Sequence, residues 1–151
     1  MKKKAKHSTK LIVNRRARHD YEIGESIIVG ISLSGAETKS LRMGHGHLRG
    51  AYVNVINNEL WLVNATITGT NTAPIDESEQ TKSRRLLAKR REINALIAAK
   101  HQGKSIVPLE LLTSGRYIKL RIAIGKGKKH YDKRQTLKKR DQDRDTARML
   151  S

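Results

Sequence analysis

The segment from Arg116 to Ile124, RYIKLRIAI, gives the clearest strand signal in the chain and restricts most strongly what the rest can fold into. Its aliphatic side chains alternate with charged and aromatic ones: Ile118, Leu120, Ile122 and Ile124 against Tyr117, Lys119 and Arg121. Successive side chains of a strand point to opposite faces of a sheet. We therefore predict one face that packs on a core and one cationic face that carries an aromatic ring.

The stretch that follows, from Gly125 to Arg134 (GKGKKHYDKR), places basic side chains around one tyrosine and one aspartate. Its two glycines allow the backbone to turn away from the strand without steric cost. Unpaired ammonium groups in a core would cost several kcal/mol or more, so this stretch cannot be buried. We expect it to leave the sheet and to lie against a negatively charged partner.

The formal net charge of +18 indicates what kind of partner that is. A large positive excess favours polyphosphate, and RNA is the first candidate. A membrane is disfavoured because no apolar run approaches the roughly 20 residues that a span needs. The chain has no cysteine, which excludes disulfides, thiolate nucleophiles and zinc–thiolate sites. Its basic start has no apolar stretch behind it, so we expect no secretory signal and a cytoplasmic protein.

Runs rich in β-branched residues predict further strands upstream. Ser26 to Leu33 reads as a buried strand in which Gly30 forms a bulge or kink. The dipeptide Asn57-Asn58 joins residues 51–56 to residues 59–67, and because asparagine tolerates positive φ it predicts a tight hairpin. Residues 68–82 are polar and predict a long loop.

Gly35 to Gly44 is a short segment in which Lys39 and Arg42, if on a helical turn, would share a cationic face. Helical spacing predicts a second segment, a helix from Ser83 to His101, and Gly103 supplies its stop. In this second helix the apolar face is Leu86, Ile93, Leu96 and Ile97, and the basic residues around the rest are Arg84, Arg85, Lys89 and Arg91.

Together these elements predict a mainly β fold, a small closed antiparallel barrel of OB type with a few helices. One RNA-binding domain would cover residues 11–130, behind a flexible basic arm at residues 1–10. The basic C-terminal tail, residues 131–151, has few apolar residues and is expected to be disordered when free. We expect a monomer.

Three ordered blocks carry a resemblance to a known family. They are Asn14 to Tyr21 (NRRARHDY), Glu37 to Arg42 (ETKSLR) and Ile122 to Arg134 (IAIGKGKKHYDKR). With RRLLAKRREI at residues 84–93, they resemble the SmpB family, bacterial proteins that bind transfer-messenger RNA (tmRNA). Departures from the family pattern are Ile28, where many relatives carry glutamate, the 68–82 loop, and Gln142, where the tail is often aromatic.

The resemblance implies a specific role in ribosome rescue. Such proteins bind the tRNA-like domain of tmRNA and deliver it to stalled 70S ribosomes. Elongation factor Tu takes part indirectly, through the charged tmRNA. The C-terminal tail folds in the empty decoding and mRNA channel of the small subunit. The resemblance therefore implies no enzyme activity and no cofactor, because peptide transfer belongs to the ribosome.

The resemblance and the chemistry of RNA recognition select the candidate contacts, because folded RNA is recognised through phosphates, 2′-hydroxyls and exposed bases. The RNA-binding candidates are Asn14, Arg15, Arg18, His19, Tyr21, Glu37, Lys39, Ser40, Arg42, Leu87, Lys119, Arg121, Lys126, Lys128 and Lys129. The ribosome-binding candidates of the tail are Tyr131, Asp132, Lys133, Arg134, Lys138, Lys139, Arg140, Arg144 and Arg148. Glu37 is expected to hold Lys39 or Arg42 in an ion pair, and Leu87 is either an exposed contact or a second core leucine.

Two other functions compete with tmRNA binding. A structural ribosomal protein with an OB barrel would share the charge and the fold. A histidine-dependent ribonuclease could use His19 or His47. A metal site at His45-Gly-His47 is disfavoured because the sequence offers no cysteine, no HExxH motif and no nearby carboxylate pair.

Overall fold

The computed structural model describes residues 12–128. The strands of this part of the chain are β1 (Ile12–Val13), β2 (Tyr21–Ile31), β3 (Gly46–His47), β4 (Tyr52–Ile56), β5 (Glu59–Val63), β6 (Thr66–Ile67), β7 (Arg84–Leu87), β8 (Ser105–Leu112) and β9 (Lys119–Gly127). The α-helices are α1 (Ala17–Asp20), α2 (Gly35–Arg42) and α3 (Arg90–His101), and Glu77–Glu79 forms a 3-10 turn. The predicted mainly β class with a few helices is confirmed.

Seven strands form one antiparallel sheet in the order β1-β8-β9-β2-β7-β5-β4, and β3 pairs with β6. The sheet curls so that β4 packs against β8. Within residues 12–128, however, no ladder of backbone hydrogen bonds joins β4 to β8 or to β1, so the predicted closure of the barrel is not confirmed. A physical reason is that β1 is only two residues long and Pro108 of β8 has no N–H to donate.

Strand β9 lies inside the sheet, between β8 and β2, and confirms the predicted alternation. Leu120 and Ile122 are fully buried in the core, whereas Lys119 on the other face is exposed. The strand runs further than predicted, because the segment up to Gly127 still pairs with β2. The prediction that the glycines turn the chain away from the sheet was therefore wrong.

Gly125 has a packing role inside this strand. A Cβ at this position would lie 2.9 Å from Val107 Cγ2 and 3.1 Å from the Cβ of Tyr21. Real Cβ atoms almost never approach another atom so closely. The glycine therefore lets β8, β9 and the start of β2 pack tightly at one end of the sheet.

Two local signals predicted their elements correctly. Asn57 and Asn58 adopt φ angles of 51° and 61° and connect β4 to β5 in a two-residue hairpin. Positive φ at both central residues is what this type of turn requires. Gly103 follows α3 with a φ of 83°, which suits the left-handed residue that often ends a helix.

The predicted helix from Ser83 to His101 was wrong over its first third. Residues Arg84–Leu87 form strand β7, with alternate side chains buried, and the helix begins only at Arg90. The backbone N–H of Lys89 donates a hydrogen bond to Glu92 Oε1 at 3.0 Å, which satisfies one group at the helix start. A run as short as RRLL fits the periodicity of a helix and that of a strand equally well. It forms a strand because it pairs with β2 and β5.

Strand β2 also differs from the prediction. It extends over Tyr21–Ile31 instead of Ser26 to Leu33, and α1 forms one helical turn just before it. Its irregularity lies between Ile23 and Ser26 and not at Gly30. Gly30 instead pairs regularly with β7 and β9, and its missing side chain leaves room for Leu87.

Candidate nucleic-acid interface

A buried ion pair between Glu37 and Arg84 forms the framework of the candidate surface. Ser34 begins α2 with its hydroxyl accepting a hydrogen bond from the Glu37 N–H at 3.2 Å, and Glu37 Oε1 accepts from the Ser34 N–H at 2.9 Å. The second carboxylate oxygen, Oε2, accepts from Arg84 Nε at 2.5 Å. The exposed fractions of the two side chains are 3% for Glu37 and 1% for Arg84, so this pair is out of reach of a ligand.

The environment keeps Glu37 ionised. Burial by itself raises the pKa of Glu37, but the hydrogen bonds from Ser34 and Arg84 and the charges of Arg84 and Lys82 together hold that pKa below its ordinary value. The predicted pairing of Glu37 with Lys39 or Arg42 was therefore wrong. No local pattern in the sequence indicates the true partner, which is 47 residues away.

The remaining donors of Arg84 bind the backbone of the preceding loop. Nη1 donates to Ala65 O at 2.9 Å and to Lys82 O at 3.0 Å. Nη2 donates to Gln80 O at 3.0 Å and to Glu79 O at 3.3 Å. Sequence reasoning had placed Arg84 on the solvated side of a helix, which was wrong. Its side chain instead joins α2 to Ala65, just before β6, and to the C-terminal end of the 68–82 loop.

Arg42 and Lys39 have different environments although they share a helix. Arg42 Nη1 donates to Thr113 O at 2.9 Å and to Gly115 O at 2.8 Å, and its Nη2 donates to Arg116 O at 2.8 Å. Its guanidinium therefore holds the turn between β8 and β9. Lys39 is exposed, and its Nζ contacts the hydroxyl of Thr72 in the 68–82 loop.

Ser40 does not belong to the exposed surface. Its side chain is fully buried, and its hydroxyl has no hydrogen-bond partner among the described residues. Ser40 and Glu37 thus support α2 from inside. Of the candidates in this helix, Lys39 is the side chain that α2 presents to solvent.

A basic cluster forms where the first and last blocks of the resemblance meet, and we call it the basic end. The sheet register pairs Tyr21 with Gly127 and Glu22 with Lys126, and the Lys128 N–H donates to Asp20 O at 3.0 Å. The basic end comprises Asn14, Arg15, Arg18, His19, Tyr21, Lys126 and Lys128. The structure therefore brings together two blocks that are about a hundred residues apart in sequence.

The side chains of the basic end are partly fixed by contacts within the protein. Asn14 Nδ2 donates to Pro108 O at 2.9 Å, which ties the loop after β1 to β8. His19 Nδ1 lies 3.0 Å from Asp20 Oδ1. Arg15, Arg18 and Lys126 are exposed, and nothing here buries their charges. They are thus free to contact phosphate.

A second group lies on the side of the sheet that faces away from the main core, and we call it the outer face. The register places Arg121 beside Ile28, and Lys119 beside Gly30, whose other neighbour is Leu87. Leu87 is 53% exposed, so the alternative of a second core leucine was wrong. Arg121 Nε donates to Glu110 Oε1 at 2.9 Å, which neutralises part of the charge.

The basic end and the outer face lie at different positions along β9. Lys119 and Lys126 are seven positions apart on this strand, which corresponds to roughly 23 Å at the usual strand rise, and the odd separation directs their side chains to opposite faces. Cations this far apart suit a folded polyanion better than a small anion. Lys129 and all the tail candidates, residues 131–151, lie outside the described residues.

The described residues offer neither a metal cluster nor a membrane-spanning helix. Residues 12–128 contain no group of three or more histidine, cysteine, aspartate or glutamate side chains that could hold a metal ion, so His45 and His47 have no such cluster around them. In the same part of the chain, no helix has the length and apolar character that crossing a membrane demands.

Comparison with known proteins gives consistent relatives. The family model described as SmpB protein matches residues 11–151. An SsrA-binding protein of Lactobacillus delbrueckii subsp. bulgaricus is 44% identical, with 98% of this chain and 97% of the relative covered. One of Protochlamydia amoebophila is 45% identical, with 97% and 96% covered. A chain in a solved structure described as "tmRNA-SmpB: a journey to the center of the bacterial ribosome" has a TM-score of 0.65 and 34% identity, over 80% of this chain and 85% of that one.

Proposed function

We propose, because the chain belongs to the SmpB protein family, that it binds tmRNA and acts with it in ribosome rescue. The observation that carries this proposal is the match to SsrA-binding proteins over nearly the whole of both chains. Similarity to a chain from a tmRNA–SmpB ribosome structure supports the ribosome as the second partner. The protein is an RNA-binding protein that supplies contacts and not bond chemistry.

The basic end and the outer face supply the contacts that such binding requires. Double-helical RNA offers phosphates and 2′-hydroxyls, and its loops offer unstacked bases. Arg15, Arg18 and Lys126 bind phosphates at the basic end, and Lys119 does so on the outer face. Leu87 covers sugar and base edges, because it exposes an apolar surface between charged neighbours. The ligand is the tRNA-like domain of tmRNA.

The remaining parts of the proposal concern delivery. The protein is cytoplasmic and reaches the stalled 70S ribosome with tmRNA that elongation factor Tu carries in its charged form. The tail, residues 131–151, enters the empty decoding and mRNA channel of the small subunit. Its basic side chains suit a wall of ribosomal RNA phosphates.

A binding and truncation experiment tests this function. The full chain should bind the tRNA-like domain of tmRNA more tightly than a plain RNA duplex of equal length at the same salt concentration. A chain that ends before Tyr131 should retain that binding but fail to support tagging of stalled nascent chains. Equal affinity for both RNAs would overturn the proposal, and unchanged tagging by the shortened chain would overturn the role of the tail.

A further inference from the structure

The turn between β8 and β9 presents an aromatic ring to solvent. Tyr117 is 69% exposed, the largest exposed fraction among the large hydrophobic and aromatic side chains of residues 12–128. The guanidinium carbon of Arg116 lies 5.6 Å from the centre of its ring, within the range of a cation–π interaction. One face of the ring therefore has a cationic neighbour that belongs to the protein.

This turn is fixed, although it lies at the surface. Arg42 donates three hydrogen bonds to carbonyl groups of residues 113–116, at 2.8 to 2.9 Å. Thr113 before the turn and Ile118 after it are each 5% exposed and anchor it in the protein. A side chain held by such a turn loses little conformational freedom when it binds a partner, which is the benefit of preorganisation.

The charges around Tyr117 indicate the chemistry of its partner. Arg116 and Lys119 are exposed on either side of the ring along the chain. Two acids of the strands and helix around this turn already have basic partners, Glu110 with Arg121 and Glu37 with Arg84. An exposed tyrosine with cations beside it suits a nucleobase and its phosphate, because bases stack on aromatic rings while arginine and lysine neutralise the backbone.

We propose that Tyr117 is a stacking platform for an unpaired base in the tRNA-like domain of tmRNA, with Lys119 on a phosphate next to that base. The proposal rests on the proposed function and adds to it a specific contact that reads an unpaired nucleotide. Lys119 of the outer face is two residues from Tyr117 along the chain, and Gly30 lies between Lys119 and Leu87 in the sheet, so the ring is close in sequence to the outer face.

Substitutions in the full chain separate stacking from simple bulk. Affinity for the tRNA-like domain should fall about fivefold or more in Tyr117→Ala, because losing one base–aromatic stack has effects of this order. Tyr117→Leu, which keeps apolar bulk without a ring, should lose as much. Tyr117→Phe should bind like the wild type. The matched control is Ile56→Ala, which truncates an exposed side chain beside the β4–β5 turn and should change affinity less than twofold.

The dependence on salt distinguishes the ring from its charged neighbour. Tyr117→Ala should leave the slope of log affinity against log salt unchanged, whereas Lys119→Ala should lower its magnitude by about 0.7–0.9. Wild-type affinity in Tyr117→Ala, with the RNA preference of the wild type intact, would overturn the stacking proposal and leave the proposed function standing. If Tyr117→Ala lost tagging with unchanged affinity for the tRNA-like domain, the base that stacks on Tyr117 would belong to the ribosome. That result would also overturn the stacking proposal. If Tyr117→Phe lost as much affinity as Tyr117→Ala, the hydroxyl group and not the ring would make the contact, and the stacking proposal would be overturned.

Discussion

Replacing Glu37 with glutamine is expected to destabilise the protein strongly, because it removes the charge that balances the buried Arg84 guanidinium. The carboxylate accepts hydrogen bonds from both Arg84 and the Ser34 N–H. A glutamine of nearly the same size has one acceptor oxygen and one amide group that can only donate. One of the two donors is then left unsatisfied, and a cation remains uncompensated in the interior.

The size of the effect follows from the burial of the pair. Breaking a buried ion pair costs about 3–5 kcal/mol, and because glutamine still accepts one hydrogen bond we expect about 3 kcal/mol. For a chain of this length each kcal/mol lowers the melting temperature by about 2–4 °C, so Glu37→Gln should lower it by roughly 6–12 °C. Thermal unfolding followed by circular dichroism at pH 7 measures the shift.

The matched control is the ion pair between Glu59 of β5 and Arg85, which follows Arg84 in β7. Glu59 accepts a hydrogen bond from Arg85 at 2.8 Å, but the exposed fractions of these side chains are 34% and 51%. Exposed pairs contribute only about 0–1 kcal/mol, so Glu59→Gln should shift the melting temperature by a few degrees at most. Equal shifts in Glu37→Gln and Glu59→Gln would refute the reasoning that burial determines the cost.

The destabilisation caused by Glu37→Gln is expected to depend on pH. The pKa of Glu37 is lowered in the folded protein, so the stability it contributes is complete above its unfolded pKa of about 4.3. That contribution is lost as the pH falls through the lower, folded pKa. The gap in melting temperature between the wild type and Glu37→Gln should therefore narrow below about pH 4. A gap that stays constant down to pH 3 would contradict the lowered pKa.

Two further predictions concern packing and charge. Gly125→Ala should destabilise the protein by about 1–3 kcal/mol in denaturant unfolding, because the added Cβ would collide with Val107. In the control Gly127→Ala the added Cβ meets nothing within 4 Å, so this substitution should be nearly neutral. Equal effects of the two substitutions would contradict the close approach of the strands at Gly125. Arg18→Ala and Lys126→Ala should each reduce the salt slope of tmRNA binding by about 0.7–0.9 without lowering the melting temperature; an unchanged slope would remove that residue from the set of phosphate contacts.

The parts of the fold that sequence predicted correctly depend on neighbours in the chain. Alternation along β9, positive φ at Asn57-Asn58 and the stop at Gly103 are local properties, and the structure shows each of these three features where it was predicted. Helix α2 is also stabilised locally, because the Ser34 and Glu37 capping contacts are three residues apart, a signal that the prediction did not use.

The parts that sequence missed depend on partners far along the chain. The sequence predicted Arg84 as a surface cation. Its side chain is buried because of the positions of α2 and of the 68–82 loop, and each of its N–H groups donates a hydrogen bond. The start of α3 was misplaced because residues 84–87 pair with neighbouring strands, Leu86 and Leu87 with β2 and the two arginines before them with β5. For the candidate site, charge and motif spacing selected the cations, but the exclusion of Glu37 and Ser40 from the surface required their burial to be known.

The hydrogen bond from the Lys128 N–H to Asp20 O has a consequence for how two binding events are joined. It fixes Lys128 at the rim of the basic end. In the proposed function, an RNA bound there and a ribosome bound by residues 131–151 are joined through the backbone of one chain. Engagement of one raises the effective concentration of the other, so each contact can be weak alone while the pair releases slowly.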